Sequence, residues 1–81
     1  MGVSKMLGYV LISLGASVNE KIVFDKLADL EKVEDANMLF GEWDIILKIK
    51  CTSPDEFSAF VLDNIRVLSE VKMTSTMIVA K

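Results

Sequence analysis

The chain has 81 residues, 52% of them hydrophobic, with 12 acidic side chains against 9 basic ones for a net charge of −3, one cysteine and no histidine. That length holds one domain, residues 1–81, with no room for a second core. The single Cys51 excludes an internal disulfide and a cage of several thiolates, and without histidine the commonest general base and metal ligand are missing. The bases are scattered from Lys5 to Lys81 with no phosphate-reading stripe, which argues against direct nucleic-acid binding. A domain this small hides only about 60–65% of the surface that its unfolded chain exposes, so part of the apolar excess is expected at subunit contacts or in a ligand pocket.

Residues 1–4 read as a loose start. Residues 6–14 are apolar on both parities, as in a strand buried on two faces, with Gly8 either weakening it or admitting another backbone. The uncharged run 6–19 imitates a signal peptide but falls short of the roughly 18–20 residues needed to cross a bilayer. Its removal would take away a strand that the rest needs, so a reduced, cytoplasmic, membrane-free setting fits better.

After the break at Gly15-Ala16-Ser17, either Ser17 or Asn19 can cap a helix over 18–30, with Ile22, Val23, Leu27 and Leu30 on one stripe. A second strand over 33–40 runs into the corner Phe40-Gly41-Glu42-Trp43-Asp44, and residues 45–51 return with strict alternation. Gly41 can take the positive φ of a tight hairpin. Asp44, at the mouth of a strand that enters a core, is placed either to cap a backbone turn or to receive something from outside.

Ser53-Pro54-Asp55-Glu56 spells a capping box with proline at the first helical position. Phe57, Phe60, Val61, Ile65 and Leu68 then mark a helix over 54–68 whose Phe stripe is core. Residues 71–80 form the last strand. Its hydroxyl centre, Thr74-Ser75-Thr76, suits cross-strand pairing or an exposed face as well as a ligand.

The order strand, helix, strand, strand, helix, strand gives an α+β, ferredoxin-like βαββαβ fold: a four-stranded antiparallel sheet with both helices on one face. The bare face is expected to pack on a second copy, making a two-fold dimer. Catalysis has little to work with, since Glu42 and Asp44 stand two apart without a histidine, a phosphate loop or a nucleophile-base pair. Binding a free amino acid suits the inventory better. Asp44 would take the ammonium, Thr74, Ser75 and Thr76 the carboxylate, and Trp43 with Phe40 or Met38 the side chain, for an affinity of about micromolar to millimolar.

The corner 40–44, the strand 45–51 and the closing Met73-Thr74-Ser75-Thr76-Met77-Ile78 closely resemble the effector domain of the Lrp/AsnC feast/famine transcription regulators, and most nearly the stand-alone RAM-domain proteins of that family. The resemblance runs from Met6 to Ala80. It implies a non-enzymatic sensor of a small amino acid, with no cofactor and no metal, whose dimers assemble further, typically into octamers. Its effector contacts would be Gly41, Trp43 and Asp44 at the corner and Thr74, Ser75 and Thr76 on the last strand. With no helix-turn-helix segment before Met6, the resemblance implies that it acts on transcription indirectly, joining full-length Lrp/AsnC regulators rather than touching DNA. Two rivals share the element order: an ACT-type amino-acid-binding domain, which would use Gly15, and a cofactor-free dimeric α+β barrel enzyme of the monooxygenase or isomerase kind. The corner residues favour the first family, and the lack of histidine counts against the enzyme.

Overall fold

The computed structural model describes residues 5–80, so the loose start expected at 1–4 lies outside the described residues. In chain order it contains β1 (Met6–Leu14), α1 (Glu20–Ala28), β2 (Val33–Met38), β3 (Ile45–Cys51), α2 (Pro54–Val61) continued by a π-helical turn (Leu62–Arg66), and β4 (Val71–Ile78). The four strands form one antiparallel sheet in the order β2-β3-β1-β4. This is the ferredoxin-like α+β arrangement that the element order requires.

Alternation decides what each strand buries. Val10, Ile12 and Leu14 of β1 and Ile45, Leu47, Ile49 and Cys51 of β3 turn toward the helices and are buried. They meet Val23 and Leu27 of α1 and Phe57, Phe60, Val61 and Ile65 of α2 and the turn after it, so both helices lie on the same face. At about 25 cal/mol per Å² of apolar surface removed from water, this one layer supplies the driving force for the fold. The opposite face carries Leu7, Tyr9, Leu11 and Ser13 of β1 beside Ile46 and Lys48 of β3, all half-buried, with Met73 and Met77 of β4 exposed at its margin. No helix covers it.

Several local details depart from the sequence reading. Asn19 caps α1, its side-chain oxygen accepting from the Ile22 N–H at 3.3 Å, and the helix is shorter than 18–30. Ile22 is 62% exposed instead of joining the core stripe. It lies roughly 100° around the helix from Val23, which puts it beyond the edge of the Val23–Leu27–Leu30 face. At α2 Ser53 accepts from the Glu56 N–H at 3.1 Å, as a capping box requires, but the Glu56 carboxylate reaches past the cap to the Thr52 N–H at 2.7 Å.

Gly8 admits a side chain rather than a backbone: a Cβ built there would stand 2.5 Å from the Phe57 ring. The helix expected to run unbroken over 54–68 widens at Leu62–Arg66 into a π-helical turn. The Asn64 side-chain amide donates to the Phe60 carbonyl at 3.1 Å, where regular helical pairing gives way.

Candidate functional site

Six residues link β2 to β3, and their backbone is fixed from both sides. The Leu39 N–H donates to the Asp44 carbonyl at 2.8 Å, which closes the loop, and the Asp44 N–H donates to the Ile12 carbonyl at 2.9 Å. Gly41, with φ 114°, is the only described residue in the left-handed region. A side chain there would be strained by the backbone although the space around it is open. The consequence is a loop tip that throws Phe40 wholly into solvent, at 108% exposure, while Trp43 folds back to half burial.

Asp44 does the first of the two jobs its position allowed. Its Oδ2 accepts the Leu14 N–H at 2.7 Å, capping the end of β1 where that strand leaves the sheet. Such a bond to a charged acceptor is worth about 1–3 kcal/mol. Oδ1 has no hydrogen-bond partner among the described residues and is not enclosed. The bond to Leu14 therefore aims the carboxylate while leaving one oxygen for an outside donor.

The hydroxyl residues lie elsewhere. In β4, Thr74 stands opposite Ile12 and Thr76 opposite Val10, whereas Ser75 stands opposite Leu11. Thr74 and Thr76 therefore look toward the helix side of the sheet and Ser75 toward the bare face. Since β4 is an edge strand, none of the three is fully buried, and the desolvation cost expected of a hydroxyl run does not arise.

Between β4 and the α2 segment runs a groove of about 590 Å³. Phe57, Val61 and Val71 form its apolar floor and Leu62 its apolar rim, and Ser58, Thr74 and Thr76 supply hydroxyls. Its charged residues are Arg66 and Lys72, with no acid in the lining. Leu62 and Arg66, the first and last residues of the π-helical turn, border this groove.

Within one subunit the two halves of the expected site do not meet. Asp44 precedes the Ile45–Ile12–Thr74 row, and β1 lies between β3 and β4, a separation of two strand spacings or roughly 10 Å. The corner groups Gly41, Trp43 and Asp44, the groove groups Thr74 and Thr76, and Ser75 stands apart from both.

A second, smaller hollow of about 380 Å³ lies at the opposite end of the sheet among Lys5, Lys32, Lys50, Thr52 and Glu56. The Glu56 carboxyl is held below its ordinary range by the Thr52 N–H and, to a lesser degree, by the nearby Lys32. Cys51 is buried beside it, and burial first, then the Glu56 charge, pushes its thiol upward, which leaves it a poor nucleophile. No group of three or more metal-ligating side chains occurs among the described residues. No helix among them is long and apolar enough to cross a membrane.

Comparison with known proteins bears on this arrangement. Residues 8–81 match the family model described as the Lrp/AsnC ligand binding domain. An uncharacterized HTH-type transcriptional regulator of Pyrococcus furiosus is 29% identical over 63 residues, covering 78% of this chain and 42% of the relative. The match thus covers less than half the length of these curated relatives. The crystal structure of a hypothetical protein from Pyrococcus horikoshii is 30% identical, with a TM-score of 0.83 over 94% of this chain and 90% of that one. A transcriptional regulator of Neisseria meningitidis, crystallised as a complex with L-Met, shares the fold with a TM-score of 0.82 at 23% identity, over 94% of this chain and 50% of that one.

Proposed function

Because the chain belongs to the Lrp/AsnC ligand-binding domain family, we propose that it is an amino-acid-sensing module whose effector lodges between subunits. The bare face around Tyr9, Leu11 and Ile46 pairs two copies, and the dimers assemble further, with an octamer as the expected closed form. At the seam, Asp44 and Trp43 from one subunit face Thr74 and Thr76 from another. Asp44 takes the ammonium on its open oxygen, and the threonine hydroxyls take the carboxylate. Gly41 holds the corner in shape, and Ser75, on the other face, turns toward the dimer partner rather than the seam.

The observation that carries this reading is the Asp44 carboxylate, fixed on one oxygen by Leu14 and unpartnered on the other, at an exposed corner that lacks the donors a zwitterion's carboxylate needs. Those donors stand on an edge strand of the same chain, too far away to help without a neighbour. The family and the L-Met complex of the Neisseria regulator support an amino acid as the occupant. Full-length Lrp/AsnC regulators are the partners through which the signal would reach transcription.

A thermal-shift screen across the twenty amino acids tests the proposal. A ligand at ten times its Kd adds about 1.4 kcal/mol, which raises Tm by several degrees in a domain of this size. The proposal expects one or a few amino acids to do so at millimolar concentration with a change in light scattering, and a flat screen contradicts it.

A further inference from the structure

We propose that the tip Phe40-Gly41-Glu42 of one copy docks into the groove between β4 and the α2 segment of a second copy. Phe40 would seat on the apolar floor of Phe57, Val61 and Val71, and Glu42 would face Arg66 and Lys72. The inference deepens the reading above, because the same docking carries the Asp44 corner toward Thr74 and Thr76.

Three observations point to a copy of this chain as the occupant. Phe40 is held out by the positive φ of Gly41 and touches nothing that would hide its ring, which is an expensive way to place an aromatic unless something covers it. The groove is large enough for that ring and keeps room beside it, since about 590 Å³ exceeds the volume of one side chain several times over. The charges match: Glu42 is an exposed acid beside Phe40, the groove holds two cations and no acid, and none of the three forms a salt bridge among the described residues. Tip and groove are different patches of the same surface, so the contact is satisfied either by reciprocal exchange between two copies or around a ring.

Light scattering on the purified protein without added amino acid tests this. Phe40→Ala should reduce the assembly to the mass of a dimer without loss of fold, since Phe40 supports nothing in its own chain. Glu42→Lys should do the same, and combining it with Arg66→Glu and Lys72→Glu should restore the wild-type mass. The docking is overturned if the wild-type protein goes no further than a dimer, if Phe40→Ala keeps the wild-type mass, or if the charge exchange fails to restore it. Failure of the sensing proposal is separate: a flat amino-acid screen on the wild-type protein leaves these masses unchanged, and an amino acid that stabilises a Phe40→Ala assembly of wild-type mass rejects the docking alone.

Discussion

The Asp44 carboxylate accepts the Leu14 backbone N–H at 2.7 Å across thirty residues of sequence, so the group proposed to receive an ammonium is also a strut of the fold. The two roles separate by substitution. Asp44→Asn keeps an oxygen for the Leu14 N–H and removes the charge; its Tm should fall by only a few degrees, while stabilisation by the effector disappears. Asp44→Ala should lose both, at a cost of about 1–3 kcal/mol in the free protein by urea denaturation. If Asp44→Asn responds to the amino acid as the parent does, the carboxylate is a strut alone.

Gly8 is the seat of the Phe57 ring, and the contact leaves no space for a methyl group. Gly8→Ala should destabilise by about 1–3 kcal/mol through overpacking. Adding Phe57→Leu, which withdraws the ring, should recover part of that loss. Measured at one protomer concentration, a double-mutant cycle with no coupling between the two positions would refute the contact.

The start of α2 carries a pH dependence. Glu56 sits below its ordinary range in the fold because its carboxylate accepts the Thr52 N–H and lies near Lys32. A depressed carboxyl contributes stability above its unfolded pKa of about 4.3 and loses it as the pH falls through the lower folded value. The stability difference between the parent and Glu56→Gln should therefore be constant near neutrality and shrink in acid below pH about 4. Ser53→Ala, which removes the cap itself, should cost about 1 kcal/mol at every pH. An acid profile unchanged by Glu56→Gln would show that the Thr52 bond is absent in solution.

Leu11 stands at the middle of the bare face, between Ile46 of β3 and Ser75 of β4. A charge there should leave the helix-side core intact and prevent two faces from meeting. Leu11→Glu is expected to sediment as a monomer with a folded far-ultraviolet spectrum, and an unchanged mass would place the dimer contact elsewhere.

Much of this was legible in the residues because two periods carry most of the information. Alternation in 45–51 separates Ile45, Leu47, Ile49 and Cys51 from Ile46, Lys48 and Lys50, and Ser53-Pro54 marks where α2 begins. The same alternation, applied to β4, already puts Ser75 on the face opposite Thr74 and Thr76, a signal in plain view that the grouping of three hydroxyls passed over. Ile22 falls off the core stripe because one position in a helix turns a side chain by roughly 100°.

Other features have no local signature. The Gly8–Phe57 contact joins positions far apart in sequence, the π-helical turn at Leu62–Arg66 interrupts a stripe whose spacing reads as regular helix, and the Glu56 bond to Thr52 is a choice between two adjacent N–H groups. The family resemblance carried what periodicity could not, and the match over residues 8–81 decides for it against the ACT-type alternative.

Complementation between two defective variants tests the central claim most directly. Asp44→Asn loses the corner and Thr76→Ala weakens the strand, so each alone should bind the amino acid poorly in a calorimetric titration. Co-expressed, they assemble sites in which an intact corner from one chain faces an intact strand from the other, and random mixing makes roughly a quarter of all sites whole. Recovery of that fraction with the parent affinity is the predicted result. A mixed assembly that binds no better than its separate components would contradict a site shared between subunits.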